Sequence, residues 1–259
     1  MYYLIIKLYT GAKNMNVFTA KWGMKLVKSL ATRTKLLKEA KQIKQNGTFD
    51  EYKAFIDKEV PKWLDPLLSA AQVDFTVKGK EKIPQNEAVI YTPNHAGMFD
   101  IPAVVINTPT MPVFMAKKEL KKVPVIKDWM EVLDCVFVDR SNKEKAHQSI
   151  CDAIDKVKNG RSLVIFPEGT RSKTGELGEF KGGAMKIAME TGAKVVPVLI
   201  EGTRGRFEET GNITPGTVHV TFLDPIETKG LTKEDFYKMP SEIRAMLENE
   251  RKSASGGNA

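Results

Sequence analysis

Residues 88–100 read AVIYTPNHAGMFD, and the fold turns on how that stretch is divided. Residues 88–91 form a short run rich in apolar, β-branched and aromatic side chains, the composition of a buried strand, and Pro93 and Asn94 end it. A loop through Gly97 then leads to a helix beginning near Asp100. In a sheet built of such strand-to-helix steps, active sites lie beyond the carboxyl ends of the strands. That is where His95 and Asp100 stand, five positions apart in a chain with three histidines. A His-Asp couple orients and charges a general base in hydrolases and acyl-transfer enzymes. On a regular helix the two would differ by about 140°, at about 100° per residue, so they meet only if His95 sits in the loop or first turn and Gly97 permits a tight approach. The plainer reading is a capping histidine and a helix-start aspartate that satisfy backbone groups.

Outward from this stretch the same texture repeats. Apolar runs at 73–77, 113–115, 136–138, 163–166, 195–200 and 217–222 are further strands, and 143–158 and 181–191 carry helical periods, the second ended by Gly192. The alternation predicts an α/β fold with a mixed, mostly parallel sheet flanked by helices. The segments that follow the strands hold the remaining chemistry. They are Ala116-Lys117-Lys118, Asp139-Arg140 and Pro167-Glu168-Gly169-Thr170-Arg171, which would bring cations and a carboxylate to the sheet edge that carries His95. His147 flanks an amphipathic stripe and His219 alternates with Val218 and Val220 on a polar strand face, so neither is expected in the site.

Residues 1–70 have a different character. The chain holds 40 basic and 32 acidic residues; residues 1–38 contain eight basic residues and no acidic one, which leaves 32 against 32 from Glu39 onward. All of the net charge of +8 therefore sits at one end. Phe18, Trp22, Leu26 and Leu30 recur every four residues, with Lys21, Lys25 and Lys28 on an adjacent flank, as in a basic amphipathic helix. Such a helix suits a membrane interface, apolar residues among acyl chains and lysines toward anionic headgroups. It equally suits docking on its own domain with a solvated basic face. The continuous stripe weakens a nucleic-acid arm. A second helix is expected after Asp50 as its cap, with QNGT at 45–48 as the joining turn and Pro61 and Pro66 as kinks or breaks. Three regions follow: an N-terminal pair of amphipathic helices at 1–70 that is the candidate membrane-association region, an α/β domain at 71–250, and a disordered tail at 251–259.

Several classes lack their defining parts. Cys135 and Cys151 form no framework and no zinc spacing, which fits a reducing compartment. The run LIIKLY at 4–9 is far short of a bilayer span, and no cleavable leader is recognisable. There is no GxSxG, GxxxxGK, GxGxxG or HExxH, so no metal is expected, and a base without an enzyme nucleophile would activate a hydroxyl of the substrate.

NHAGMFD, FVDR at 137–140, FPEGTRS at 166–172 followed by FKGGA, and VVPV at 195–198, in that order, resemble the glycerolipid acyltransferase family with the HxxxxD motif, and within it the bacterial 1-acylglycerol-3-phosphate acyltransferases. The resemblance covers roughly residues 75–225. It implies transfer of a fatty acyl group from acyl-CoA or acyl-carrier protein to the 2-hydroxyl of lysophosphatidic acid, giving phosphatidic acid, with no cofactor. By that resemblance His95 is the general base and Asp100 its orienting partner. Lys117, Arg140 and Arg171 hold the acceptor phosphate, Glu168 shapes the same pocket, and Gly169 serves its tight turn. The partners implied are the two substrates and an anionic membrane surface, with the protein peripheral or monotopic on the cytoplasmic face of the cell membrane. The chain departs from the family at Gly97, where serine is frequent, and at Gly182, where a basic residue is. Other readings keep the site but change its use: glycerol-3-phosphate or another lysophospholipid as acceptor, a thioesterase, or a non-catalytic phospholipid-binding protein.

Overall fold

The computed structural model describes residues 15–122, 126–139 and 142–256. Three helices open it: α1 (Val17–Thr32), α2 (Thr34–Asn46) and α3 (Phe49–Ala71). They replace the expected pair. Asn16 caps α1 by accepting from Thr19 N. Near its end Thr32 turns its hydroxyl back onto the Lys28 carbonyl, a bond that competes with the helix ladder, and at Arg33 the backbone leaves the helix. The turn at 45–48 does join two helices, but the cap of α3 is Thr48 rather than Asp50. Thr48 accepts from Glu51 N while Glu51 returns a carboxylate to Thr48 N, a capping box. Pro61 and Pro66 do not break α3, which runs 23 residues through both. Each proline removes a ladder bond, at about 3 kcal/mol relative to alanine in a helix interior. The burial of Ile56, Val60, Leu67 and Leu68 on one face, and the stacking of Trp63 on Trp129, offset that cost.

The strands are β1 (Val73–Lys78), β2 (Ile90–Pro93), β3 (Val113–Lys117), β4 (Val136–Val138), β5 (Leu163–Val164), β6 (Val195–Glu201) and β7 (Gly216–Phe222). All seven fall on the expected apolar runs, within two residues at either end. They form one sheet in the order β1-β7-β6-β2-β5-β3-β4, parallel at every pairing except β6 with β7. Helices α4 (Asp100–Val105), α5 (Ile126–Val132), α6 (Lys143–Lys158), α7 (Gly183–Thr191), the short α8 (Thr203–Arg206) and α9 (Lys233–Gly256) complete the chain. Gly192, at φ 65, closes α7.

Both sheet faces are covered, as parallel strands require. On one side Trp22, Ala40, Tyr52 and Ile56 of the N-terminal helices pack against Tyr91, Val198 and Phe222; on the other, α6, α7 and α9 bury Ala153, Ile187 and Ile243 against Ile90, Leu163 and Val195. The N-terminal helices therefore share a core with the sheet. Helix α9 also passes Arg251, where a tail was expected, and continues to Gly256; residues 257–259 lie outside the described residues. Arg251 itself is tied to the Gly175 carbonyl and faces the Glu201 carboxylate.

Candidate active site

The site begins where β2 ends. Asn94 is buried and locks that end onto β6, its amide oxygen accepting from Ile200 N at 2.7 Å and its amide nitrogen donating to Ile200 O at 2.9 Å. The next residue, His95, is thereby launched from a fixed point. Its Nδ1 lies 2.7 Å from Asp100 Oδ2, the same oxygen that accepts from Ala96 N at 2.7 Å and Gly97 N at 2.8 Å. The expected pair is thus formed, with His95 in the loop and Asp100 as the first residue of α4. Asp100 satisfies backbone donors and engages the imidazole with one and the same oxygen, whereas the His95 ring caps no backbone group among the described residues. As a carboxylate it only accepts, so Nδ1 donates to it and Nε2 is left as a proton acceptor.

The backbone of His95 is held as firmly as its ring. Its N–H donates to Glu168 Oε1 at 2.8 Å, its carbonyl accepts from Ser172 N at 2.8 Å, and its ring stacks on Phe166 at 4.1 Å. Glu168, expected to shape the acceptor pocket, is buried and acts on the backbone, since its second oxygen takes Gly178 N at 3.1 Å. Burial raises its carboxyl above the ordinary glutamate value, against the pull of the two N–H donors. Gly169, at φ 72, makes the turn that aims Glu168 back, with its N–H on Phe166 O. The loop at 175–178 is gripped from outside by α9, through Arg244 to the Gly178 and Leu177 carbonyls.

The cations stand differently. Arg171 is half exposed and donates one terminal nitrogen to Glu208 Oε1 at 2.9 Å. Lys117 is exposed at the end of β3, and its neighbour Lys118 pairs with Asp139. Arg140 lies outside the described residues. Glu208 is the residue the sequence did not suggest, because it reaches Met98 N, 2.7 Å away, from 110 positions along the chain. Gly97 carries the one sequence sign of it. A Cβ there would stand 2.8 Å from the Thr203 backbone and 2.9 Å from Glu208 Oε2, so any side chain at 97 requires that backbone to shift. At Gly182 a Cβ meets nothing within 4 Å, so nothing in the packing demands glycine there. His147 and His219 are on exposed faces of α6 and β7, away from the site.

The residues expected to enter a membrane divide. Trp22 is buried, donates Nε1 to Leu67 O at 2.9 Å and packs on Phe99 of the site loop; Phe18 and Leu26 pack on the same core, and Leu30 is half-buried. The apolar stripe of α1 thus faces the protein, because the sheet and α3 offer it a larger apolar surface to cover. Lys21, Lys25 and Lys28 are exposed, as are Val17 and Met24. Among the described residues no helix is long and apolar enough to cross a membrane, and no three His, Cys, Asp or Glu side chains gather as metal ligands. A groove of about 490 Å³ at the β4 edge, lined by Lys121, Asp134, Phe137 and Asp155, shares no residue with the site.

The acyltransferase family profile matches residues 74–201. A curated 1-acyl-sn-glycerol-3-phosphate acyltransferase of Cocos nucifera is 35% identical over 66% of this chain and 56% of its own length, and one of Borreliella burgdorferi is 36% identical over 53% and 55%. The chain thus spans a little over half the length of these curated relatives. The crystal structure of the 1-acyl-sn-glycerophosphate acyltransferase of Thermotoga maritima superposes with a TM-score of 0.74 at 27% identity, covering 97% of this chain and 98% of that one. The match contains the whole stretch from β2 to the FPEGTRS turn, and the chain belongs to the acyltransferase family.

Proposed function

We propose that the protein transfers a fatty acyl group from a thioester donor, acyl-CoA or acyl-carrier protein, to the 2-hydroxyl of lysophosphatidic acid, giving phosphatidic acid in phospholipid synthesis. The observation that carries this reading is the His95–Asp100 pair set beside Arg171 on one sheet edge. Nε2 of His95 accepts the hydroxyl proton as that oxygen attacks the thioester carbonyl. The tetrahedral intermediate collapses with cleavage of the C–S bond, and the departing thiolate takes the proton back from the imidazolium. Asp100 stabilises the transient imidazolium, so the reaction needs no cofactor beyond the donor. Arg171 is suited to the acceptor phosphate because its planar fork makes paired charge-assisted bonds; Lys117 would add charge from the end of β3, and Arg140 is proposed with them from the sequence alone. The relatives named above act on 1-acyl-sn-glycerol-3-phosphate, which supports that acceptor over glycerol-3-phosphate.

Both lipids reside in a bilayer, and the exposed lysines of α1 support a peripheral or monotopic attachment to an anionic surface, which the proposal puts on the cytoplasmic face of the cell membrane, with no role for nucleic acid. The test is transfer from labelled palmitoyl-CoA or palmitoyl-carrier protein to lysophosphatidic acid, glycerol-3-phosphate or no acceptor, by wild type and a folded His95→Ala variant. Phosphatidic acid made by the wild type and lost in the variant supports the proposal. Free acid released without acceptor would make the protein a thioesterase, and no turnover with either donor would leave a lipid-binding protein.

A further inference from the structure

Glu208 lies just beyond α8, with its side chain 13% exposed. One of its oxygens, Oε1, takes two donors from opposite sides of the site: Met98 N at 2.7 Å, from the loop that carries His95, and Arg171 at 2.9 Å, from the turn after β5. The other, Oε2, is buried against Gly97, where a Cβ would come within 2.9 Å of it. The absence of a side chain at 97 is what lets a carboxylate occupy this place. Desolvation raises the carboxyl above its ordinary range and the Asp100 charge adds to this, while Arg171 and the Met98 N–H oppose the rise. A carboxylate placed at that cost is held there by its two donors.

We infer that Glu208 is a positioning residue for acceptor binding: it tethers Arg171 by one nitrogen and so fixes the guanidinium, at a set distance from the His95 loop, to receive the acceptor's phosphate. The inference rests on the lysophosphatidic acid reading. Arg171 is tied at one terminal nitrogen, and its side chain is 48% exposed. A tethered guanidinium has less rotamer freedom to lose on binding than a free one, and it presents its remaining N–H groups in a fixed plane. The opposite effect also has a physical basis, because a carboxylate beside a phosphate site competes for the cation and weakens its field. Tethering is favoured here because Oε1 is shared: holding Arg171 and holding the catalytic loop are the same contact.

The experiment measures steady-state kinetics of the full chain with palmitoyl-CoA and lysophosphatidic acid for wild type, Glu208→Gln, Arg171→Ala and the double variant. Glu208→Gln keeps an acceptor for Met98 N and loses the ion pair. It is expected to raise the acceptor KM about tenfold, to leave the palmitoyl-CoA KM within about twofold, and to lower kcat by less than the acceptor KM rises. In the Arg171→Ala background the same substitution should no longer move the acceptor KM, because Glu208 acts through that arginine. An acceptor KM that is unchanged or lower in Glu208→Gln, or additive effects in the double variant, overturns the inference. So does an equal loss toward both substrates with a lowered melting temperature, which marks a structural role only. Should Glu208→Gln not fold, Arg171→Lys supplies the test on a surface residue: one ammonium cannot hold the carboxylate and fork a phosphate together, and an unchanged acceptor KM there overturns the inference too. A wild type that transfers nothing to lysophosphatidic acid brings down the function and the inference together, whereas transfer with a flat acceptor KM in the variants brings down only the second.

Discussion

The two halves of the site are built on opposite plans. Around His95, among the described residues, only Nε2 is left open: its N–H is on Glu168, its carbonyl on Ser172, its Nδ1 on Asp100 and its ring on Phe166, and the neighbouring N–H groups of Ala96 and Gly97 converge on Asp100. Around Arg171 and Lys117 there is one tether and much solvent. The difference fits the tasks proposed for the two halves. Proton transfer needs a base already within hydrogen-bond reach of the attacking oxygen, so its geometry is over-determined before substrate arrives. In the proposed function a headgroup enters from outside, so the cations that would meet it must stay accessible, and binding itself would complete their order.

Removing the base tests the rigid half and carries the largest expected effect. His95→Ala should lower kcat/KM about 10²- to 10⁴-fold, the usual worth of a positioned general base, with a melting temperature close to that of the wild type. A variant that kept more than a tenth of the activity would mean that the rigid half is scaffolding and that the chemistry lies elsewhere. Glu168→Gln sharpens the same point, because its amide group replaces one acceptor oxygen with a donor and so cannot satisfy both His95 N and Gly178 N. Its loss should appear mainly in kcat, since the misplaced residue is the proposed base.

A second over-determined carboxylate lies far from the chemistry. Asp134, at φ 62, receives Lys44 of α2 at 2.7 Å, Lys156 of α6 at 2.8 Å and the buried Arg161 at 3.1 Å. It fastens an N-terminal helix to the sheet edge. Burial alone would raise its pKa, but the hydrogen bonds and charges of Lys156 and Lys44 outweigh burial and lower it. Because the folded value lies below the unfolded one, the stability Asp134 contributes is complete above the ordinary aspartate range and is lost as pH falls through the lowered value. Asp134→Ala strands Arg161, which is 2% exposed, and should cost about 3 kcal/mol in denaturant unfolding at neutral pH, less at acid pH. A pH-independent difference between the two proteins would show that the charges do not matter there. By contrast, removing the exposed i,i+4 pair of Glu234 and Lys238 should leave the unfolding curve in place.

What the sequence made legible follows the same division between local and long-range causes. Seven apolar runs became seven strands because strand composition is a local signal, and parallel strands carry their carboxyl ends to one edge, which brought His95, Glu168 and Arg171 together. Three things depended on contacts that no window contains. Helix α3 passes two prolines because of what its other face buries. The stripe of Trp22 reads equally well toward lipid or toward protein, and only the presence of Leu67 and Phe99 decides. Glu208 matters through Met98 and Arg171, far away along the chain, and left its trace only as a glycine at 97. Helix α9 went unread because Pro240 and a polar, charged surface obscure its period, although Phe236, Met239, Ile243 and Leu247 bury one side of it.

Smaller effects than those on the site are expected at the outer face of α1, where the comparison between fixed and open groups bears on the proposed membrane attachment. With Trp22 turned inward, attachment through this helix rests on Lys21, Lys25 and Lys28, and on little apolar surface beyond Val17 and Met24. Each lysine changed to glutamine should then weaken sedimentation of the full chain with vesicles containing phosphatidylglycerol about fivefold, the usual contribution of one basic residue near an anionic surface. The binding should fade as salt shortens the screening length and vanish on neutral vesicles. Binding that survives the triple substitution at high salt would mean that apolar insertion from another part of the chain holds the protein. In that case the open half of the site faces the bilayer through a surface other than α1. If the triple variant instead loses its vesicles but still acylates lysophosphatidic acid dispersed in detergent, the lysines bring the enzyme to its substrate and take no part in the chemistry.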